Sequence, residues 1–210
     1  MILIGQYDSP FVRRTAIALD LCGMTFEHRP WSTFGDGDLL ATFNPLRRVP
    51  TLVLDDGGVL IDSVTIVDWL DETVGPGRAL VPAHGLERRL ALKVRALGMG
   101  LADKAVSLLY ERILHQDPSQ VWIDRCRTQI ADVLTSLETD RVSPAAPFWH
   151  GDSLGHADII VGCALRFIRE AHPDLFDPAR WPGLEQHAAR CEALPVFERF
   201  CQVLVPPGQN

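Results

Sequence analysis

The sequence lacks the features that would tie it to a membrane, a nucleic acid or a metal ion. No apolar run approaches the roughly 20 residues of a membrane span, and no basic stretch opens the amino terminus as in a signal peptide. Lysines and arginines form no long runs, and the formal charge is −7, which argues against a nucleic-acid partner. The seven histidines show no HExxH-like spacing, so we predict no metal.

Closely spaced cysteine pairs are also missing. The five cysteines are scattered, and no two have CxxC spacing: Cys22, Cys126, Cys163, Cys191 and Cys201. An odd, scattered set suits buried thiols in a reducing compartment better than a disulfide frame or a zinc site. We therefore predict core thiols and a cytoplasmic location.

The 210 residues, 47% of them hydrophobic, suffice for one large domain or two small ones. In the first part of the chain, short apolar strands alternate with helices; we predict strands over 2–6, 25–29, 51–54 and 59–61. A helix between the first two strands requires a crossover and hence a parallel pair, whereas the turn Asp55–Gly58 predicts an antiparallel hairpin.

Strand signals nearly vanish in the second part of the chain. We predict helices over 86–115, 119–137, 157–171, 184–193 and 195–203. Glycine and proline are frequent between the two parts. The sequence thus predicts an α/β domain over residues 1–77, a linker over 78–85 and an all-helical domain over 86–210.

The most informative stretch enters the third strand at Val49-Pro50-Thr51. Proline fits the first residue of a strand, and an X–Pro bond adopts the cis form at a cost of only about 0.5–1 kcal/mol. A cis bond would turn the backbone N–H and C=O of Val49 away from the sheet, where an extended peptide could pair with them. An ordinary tight turn is the alternative.

Two further corners accompany this one. Ser9 precedes Pro10, the pattern of a helix N-cap followed by proline at the first helical position. Along that first helix Val12, Ala16 and Leu19 have helical spacing, whereas Arg13 and Arg14 fall among its polar positions. Asp62 and Ser63 follow the fourth strand, and we predict that Ser63 caps the next helix.

Over nearly its full length, the chain resembles cytosolic glutathione S-transferases, which join a thioredoxin-like α/β domain to an all-helical domain. The motifs that carry the resemblance keep the family's order and spacing: Asn44-Pro45, Arg48-Val49-Pro50-Thr51-Leu52, Asp62-Ser63, the linker Ala79-Leu80-Val81-Pro82, and Ala157-Asp158-Ile159 at the start of a buried helix. Two positions depart from the pattern: Arg47, where glycine is frequent, and Gly155, where serine or threonine is usual.

The resemblance implies that glutathione is the co-substrate. The backbone of Val49, at the corner formed with Pro50, would pair with the cysteinyl unit of glutathione, as when a peptide adds a strand to the edge of a sheet. Asp62 would hold the γ-glutamyl ammonium, and Ser63 a carboxylate at the helix start. Arg48 would bind the glycyl carboxylate through charge-assisted hydrogen bonds. Ser63 could instead be a cap only, and Arg48 a solvated surface charge.

The reaction needs a thiolate, but a free thiol with a pKa near 8.5 is only a few per cent ionised at neutral pH. A helix N-terminus with a hydroxyl aimed at the sulfur would stabilise the anion. Ser9 combines both and matches the family's serine-type position. Tyr7 is the rival, because other classes use a tyrosine after the first strand. A serine cannot form a mixed disulfide, so glutathionyl transfer through an enzyme cysteine is disfavoured.

We therefore expect a detoxifying enzyme that transfers the glutathione thiolate to a small hydrophobic electrophile. The alternatives are a glutathione-dependent peroxidase and a non-catalytic glutathione-binding or protein-interaction module of the same fold. The electrophile is expected between the first domain and the helix 86–115, where four residues at helical spacing could share one face: Met99, Asp103, Val106 and Tyr110. Such a stripe is also typical of plain helix packing. Family members are usually homodimers, and we expect the same here.

Overall fold

The structure, a computed structural model, describes residues 1–141, 146–149 and 151–207. It divides into two compact units. The first contains Met1–Ala83 and the segment from Pro195 onward, and the second is His84–Leu194. Each unit is described by itself below.

The first unit is built on a four-stranded sheet. Its elements in chain order are β1 (Ile2–Ile4), α1 (Pro10–Leu21), β2 (Glu27–Arg29), α2 (Gly37–Ala41), β3 (Thr51–Val53), β4 (Val59–Ile61) and α3 (Ser63–Val74). The strand order is β2-β1-β3-β4, with β1 parallel to β2 and antiparallel to β3, and with β3 antiparallel to β4. The predicted parallel pair and the predicted hairpin are both confirmed.

The register of this sheet aligns the strand ends that matter for function. Ile4 pairs with Arg29 on one side and with Thr51 on the other, and Thr51 pairs in turn with Ile61. The carboxyl ends of β1, β2 and β4 therefore share one row with the amino end of β3. Whatever follows β1 and β4, and whatever precedes β3, emerges at the same end of the sheet.

Helix α1 begins as predicted and buries more than predicted. The Ser9 hydroxyl oxygen caps it, with Pro10 in the first turn, and Val12, Ala16 and Leu19 are fully buried. The expected polar placement of Arg13 and Arg14 is wrong, because their side chains are only 2% and 1% exposed. A buried guanidinium needs hydrogen-bond acceptors, and other segments of the unit supply them.

The segment from Pro195 onward departs from the predicted division, which placed it in the helical domain. Its short helix α8 (Pro195–Arg199) ends against α1, where Arg13 donates from Nη2 to the Phe197 carbonyl at 2.9 Å and from Nε to the Phe200 carbonyl at 3.0 Å. Carbonyls at a helix end have no partners within the helix. Arg13 satisfies them and thereby fixes this segment to the first unit.

The second unit is helical. It contains α4 (Gly85–Leu114), α5 (Gln120–Arg141), α6 (His156–Ala171), a 3₁₀ turn (Pro173–Leu175) and α7 (Pro182–Glu192). The apolar α6 is almost entirely buried, as predicted. The buried Asp158 carboxylate accepts the Gly155 N–H at 3.0 Å and the Trp149 N–H at 2.9 Å. Asp158 thus supplies its own half of the capping arrangement, whereas Gly155 has no side chain to accept an N–H of the first helical turn.

Three further predictions concern cysteine burial, membrane spans and metal-binding groups. Four cysteines are buried, but Cys201 is exposed, so the core-thiol prediction is wrong for that residue. No helix within the described residues has the length and apolar character of a membrane span. Residues 1–141, 146–149 and 151–207 also contain no group of three or more His, Cys, Asp or Glu side chains that could hold a metal ion. The absence of a bound metal remains a prediction.

Two glycines in α4 provide a test of the packing between α4 and α6. A Cβ at Gly98 would lie 2.9 Å from Ile160 Cγ2 and 3.1 Å from Val161 Cγ2, whereas one at Gly100 would meet no described atom within 4 Å. We predict that Gly98→Ala lowers the free energy of unfolding by about 1–3 kcal/mol through overpacking. Gly100→Ala should raise it by up to about 1 kcal/mol, because alanine favours the helix. Urea denaturation measures both, and equal effects would contradict the close approach.

Candidate active site

The sheet register brings the three predicted corners together at one end of the first unit. The Gly5–Ser9 stretch follows β1, Val49 and Pro50 precede β3, and Asp62 follows β4 directly. Helices α1 and α3 both begin here, so two positively polarised helix N-termini lie at this end of the sheet. Such an end suits an anionic, extended ligand.

Val49 offers an unused backbone edge at this end. The Val49–Pro50 peptide bond is cis, which decides between the cis corner and the ordinary tight turn that the sequence left open. Among the described residues, no hydrogen bond uses the N–H or C=O of Val49. The pairing of β3 with its neighbouring strand β1 begins only at Thr51, the residue after Pro50. An extended peptide alongside Val49 can therefore pair with its backbone.

Asn44 holds the loop that presents this edge. Its fully buried amide group donates to the Arg48 carbonyl at 2.9 Å and to Thr51 Oγ1 at 3.0 Å, and its Oδ1 accepts the Leu46 N–H at 2.9 Å. In the sequence, Asn44 stands out only as part of a motif. An asparagine before a proline is a recognised turn signal and could have suggested this role.

The two arginines of this loop differ in their surroundings. Arg47 has a φ of 52°, the left-handed conformation that glycine adopts most easily, which explains why glycine is frequent at this position in the family. Its guanidinium pairs with the Asp38 carboxylate at 2.6 Å. The Arg48 side chain is exposed. Among the described residues it has no ion-pair partner, which leaves its charge available to a ligand.

Gly5 is a site residue that the sequence analysis missed. Its φ is +129°, and a Cβ there would lie 2.6 Å from Val12 Cγ2 and 2.8 Å from Val49 Cβ. Only glycine lets the chain leave β1 this close to α1 and to the Val49 edge. The available signal was a glycine directly after an apolar strand.

Ser9 lies at the N-terminus of α1, as predicted. Its N–H donates to the Gln6 carbonyl at 3.2 Å, which closes a four-residue turn, and its Oγ accepts the Val12 N–H at 3.4 Å. Among the described residues, no acceptor takes the proton of the Ser9 hydroxyl. This hydroxyl can therefore donate to a ligand while it caps the helix.

Tyr7, the rival residue, has a packed ring. It stacks on the His28 ring with centroids 3.9 Å apart and planes 8° from parallel, and its other contact is edge-on with Phe200 at 5.2 Å. His28 is itself fixed by a 2.8 Å hydrogen bond between Nε2 and the Gly5 carbonyl. Burial raises the pKa of Tyr7 to about 12, so its phenol stays protonated at working pH.

The Asp62–Ser63 corner corrects one prediction. Asp62, not Ser63, is the N-cap of α3, because its Oδ1 accepts the Val64 N–H at 2.6 Å; Ser63 is the first helical residue. Asp62 is exposed and has a φ of 75°. The Ser63 side chain is 1% exposed, and its hydroxyl lies 3.3 Å from Nη1 of Arg14. Arg14 thus links the two helices that start at this end of the sheet.

The predicted electrophile stripe lies on α4 in the second unit. Asp103 is exposed and the other three residues are partly exposed: Met99, Val106 and Tyr110. The stripe is therefore outside the buried face of α4, which is formed by residues such as Leu101, Ala105 and Leu108. A role in binding the electrophile stays a prediction.

Comparison with known proteins places this geometry in a family. The family model described as "Glutathione S-transferase, N-terminal domain" matches residues 3–78, and the model of the family's C-terminal domain matches residues 120–190. An uncharacterized GST-like protein of Escherichia coli (strain K12), YibF, is 31% identical over 169 residues, which span 80% of this chain and 82% of YibF. The chain belongs to the glutathione S-transferase family.

Solved glutathione S-transferases agree over almost the whole chain. A Methylobacterium radiotolerans enzyme in complex with glutathione sulfonate superposes with a TM-score of 0.88 at 27% identity, covering 97% of both chains. A family member from Pseudomonas fluorescens Pf-5 with bound glutathione gives 0.84 at 29% identity, covering 97% of this chain and 99% of its own. The predicted fold class and the predicted enzyme class, glutathione S-transferase, are confirmed.

A glycine pair tests the steric role of Gly5 in this glutathione S-transferase. We predict that Gly5→Ala lowers the unfolding free energy and weakens glutathione binding, because the added methyl meets Val12 and displaces the Val49 edge. Gly57→Ala is the control, since Gly57 also has a positive φ, +87°, but no described atom within 4 Å of an added Cβ. Its cost is limited to backbone strain of about 1–2 kcal/mol. Urea unfolding and calorimetry compare the variants, and similar glutathione affinities would contradict the role of Gly5.

Proposed function

We propose that this protein binds glutathione along Val49 and transfers its thiolate to a small hydrophobic electrophile. The observation that carries the proposal is the shared position of two features at one end of the sheet. One is the unused Val49 backbone edge, and the other is the Ser9 hydroxyl at the α1 N-terminus. An edge alone would bind a peptide, whereas the combination also suits a charged sulfur.

Each part of glutathione has a candidate partner. The cysteinyl N–H and C=O pair with Val49, at the corner formed by Pro50. The exposed Asp62 carboxylate takes the γ-glutamyl ammonium, and the N–H groups of the first α3 turn, with Ser63, take the neighbouring carboxylate. Arg48 takes the glycyl carboxylate. The bound glutathione of the P. fluorescens relative and the glutathione sulfonate of the M. radiotolerans relative support this choice of ligand.

The energetic requirement for activation is modest. Lowering the thiol pKa by about 2 requires roughly 2.7 kcal/mol of preferential stabilisation of the thiolate. A helix N-terminus contributes about 0.3–1 kcal/mol, which is insufficient alone. A hydrogen bond to a charged group contributes about 1.5–3 kcal/mol. The Ser9 hydroxyl is therefore the larger of the two contributions, and their combined range of about 1.8–4 kcal/mol includes the required value.

In the reaction, the thiol proton leaves to water, and the sulfur, held by the Ser9 O–H, attacks the electrophilic carbon. A C–S bond forms, and the leaving group departs with its electron pair in a substitution. As the resemblance implies, we also propose that the protein is a cytoplasmic homodimer, that it needs no metal, and that its role is detoxification.

Calorimetry with glutathione and turnover of 1-chloro-2,4-dinitrobenzene test the function as a whole. Binding with turnover supports the proposal. Binding without turnover on an electrophile panel would favour a non-catalytic module. Turnover of organic hydroperoxides alone would favour a peroxidase. A relative from Vibrio cholerae, 29% identical over 94% of this chain, is named a probable maleylacetoacetate isomerase, so an isomerase substrate belongs in the panel.

Replacing the candidate hydroxyl tests the activation step. We predict that Ser9→Ala lowers kcat by at least about tenfold, equivalent to about 1.4 kcal/mol. Without the hydroxyl, the pKa of the bound thiol rises toward about 8.5, so the loss is greatest at low pH and shrinks above that value. Tyr7→Phe, which keeps the packed ring, should leave kcat nearly unchanged. Steady-state rates between pH 5.5 and about 9 measure both; unchanged turnover in Ser9→Ala with impaired Tyr7→Phe would reverse the assignment.

Two neighbouring arginines offer a matched test of glutathione binding. We predict that Arg48→Gln raises the glutathione Kd by about tenfold or more, because one charge-assisted hydrogen-bond partner of about 1.5–3 kcal/mol is lost. Arg47→Gln should change the Kd little, since the exposed Arg47 is already paired with Asp38. Titration calorimetry gives both constants. Equal losses would show that net charge, rather than Arg48 itself, attracts the ligand.

A further inference from the structure

The turn that carries Ser9 is held from outside by the carboxyl-terminal segment. Tyr7 and Asp8 are the central residues of the turn that the bond from the Ser9 N–H to the Gln6 carbonyl closes. The Tyr7 N–H donates to Oε1 of Gln202 at 2.9 Å, and the Val205 N–H donates to Oδ2 of Asp8 at 3.1 Å. Both central residues of the turn are therefore tied to a segment almost two hundred positions away in the chain.

The same segment is firmly attached to the first unit. Arg13 holds the Phe197 and Phe200 carbonyls from inside the unit, and the exposed side chain of Arg199 pairs with Asp20 on α1. The Phe200 ring also lies against the Tyr7 ring and the Phe26 ring, with centroids 5.2 Å and 6.1 Å apart. Gln202 follows this anchored part by only two residues, so its amide is held close to the turn.

These contacts have one consequence for Ser9. The Tyr7 N–H and the Gln6 carbonyl belong to the same peptide unit, Gln6–Tyr7. Rotation of this unit would move the Gln6 carbonyl away from the Ser9 N–H and re-aim the serine hydroxyl, whose own capping contact with Val12 is long at 3.4 Å. The turn's internal hydrogen bond is also long, at 3.2 Å. The 2.9 Å bond from Tyr7 to Gln202 is the shortest of the three and comes from outside the turn.

We propose that Gln202 is a positioning residue for the thiolate site. Its amide oxygen fixes the Gln6–Tyr7 peptide unit, whose carbonyl accepts the Ser9 N–H, and so sets the direction of the Ser9 hydroxyl toward the glutathione sulfur. This inference rests on the proposed function. It assigns to the carboxyl-terminal segment of this chain a part in activating glutathione, and it gives Tyr7 a role through its backbone and its packed ring.

Two substitutions at the same position separate the amide oxygen from the shape of the side chain. Gln202→Met keeps length and volume but removes the acceptor, whereas Gln202→Glu keeps an oxygen that can accept the Tyr7 N–H. Val203→Ala, at a neighbouring side chain that is 70% exposed, controls for any change in the segment. The readout is the ultraviolet absorbance of bound glutathione thiolate against pH, with melting temperature and glutathione Kd recorded in parallel.

We expect Gln202→Met to lower the thiolate fraction at pH 6.5 by about fivefold or more at saturating glutathione, because small misplacements of a catalytic group have large effects. Val203→Ala should titrate like the wild type. Gln202→Glu keeps the acceptor but adds a negative charge, which disfavours a nearby thiolate, so its loss should be smaller than that of Gln202→Met. A Gln202→Met titration that matches the wild type, or an equal loss in Val203→Ala, would overturn the proposal. Should Gln202→Met fail to fold, Gln202→Ser, whose hydroxyl is too short to reach Tyr7, takes its place with the same expectation.

Failure of the proposed function has a different signature. It would appear in the wild-type protein itself, as bound glutathione that titrates like the free thiol or as no binding at all. Failure of the Gln202 assignment would appear only in the comparison of the variants, with a lowered thiol pKa in the wild type.

Discussion

The site depends on the pairing of Thr51 with Ile4 on one side and with Ile61 on the other. This register brings three segments that are far apart in sequence to one end of the sheet. Side chains alternate across a sheet, so a slip of one residue in β3 would turn its buried side chains to the opposite face. It would also move the Val49 edge away from Gly5. These two residues can lie this close only because Gly5 has no side chain. Catalytic geometry and sheet stability are therefore set by the same hydrogen bonds.

Helix α1 connects this sheet end to the rest of the first unit through two buried cations. Burial of a guanidinium is unfavourable unless acceptors surround it, so each arginine constrains whatever supplies its acceptors. Arg13 binds carbonyls of the carboxyl-terminal segment, and Arg14 reaches the Ser63 hydroxyl at the start of α3. Movement of either partner would leave a buried charge less well solvated. The helix that begins at Ser9 is thus fixed at the level of its second turn to both neighbours.

The features that were predictable from the sequence obey local rules. The Ser9 cap and the hairpin turn after β3 each follow from a few adjacent residues, and the long α4 follows from a helical pattern. For the bond before Pro50, the adjacent residues only allowed the cis form beside an ordinary tight turn. Asp62 and Ser63 show the limit of such rules, because both are good N-caps and only the backbone decides between them. Three strands proved shorter than predicted, because ladder pairing stops at Ile4 and Val53 and begins only at Glu27, whereas the fourth strand has its predicted bounds. Family membership followed from the order of motifs, none of which is specific alone.

The features that could not be predicted involve a distant partner. Arginines at positions 13 and 14 look like a solvated face until their acceptors, which lie 49 to 187 positions away, are known. The sequence also only ranks Ser9 above Tyr7 without separating their roles, since both follow the first strand and both carry a hydroxyl. In the structure, the Tyr7 ring is committed to His28 and Phe200, and its raised pKa marks the loss of water around the phenol. Ser9 has the helix N-terminus behind it and a donor proton that no described residue uses. The same turn therefore contains one residue whose ring is packed and one whose hydroxyl proton no described residue takes, and this difference supports the proposal that Ser9 stabilises the thiolate.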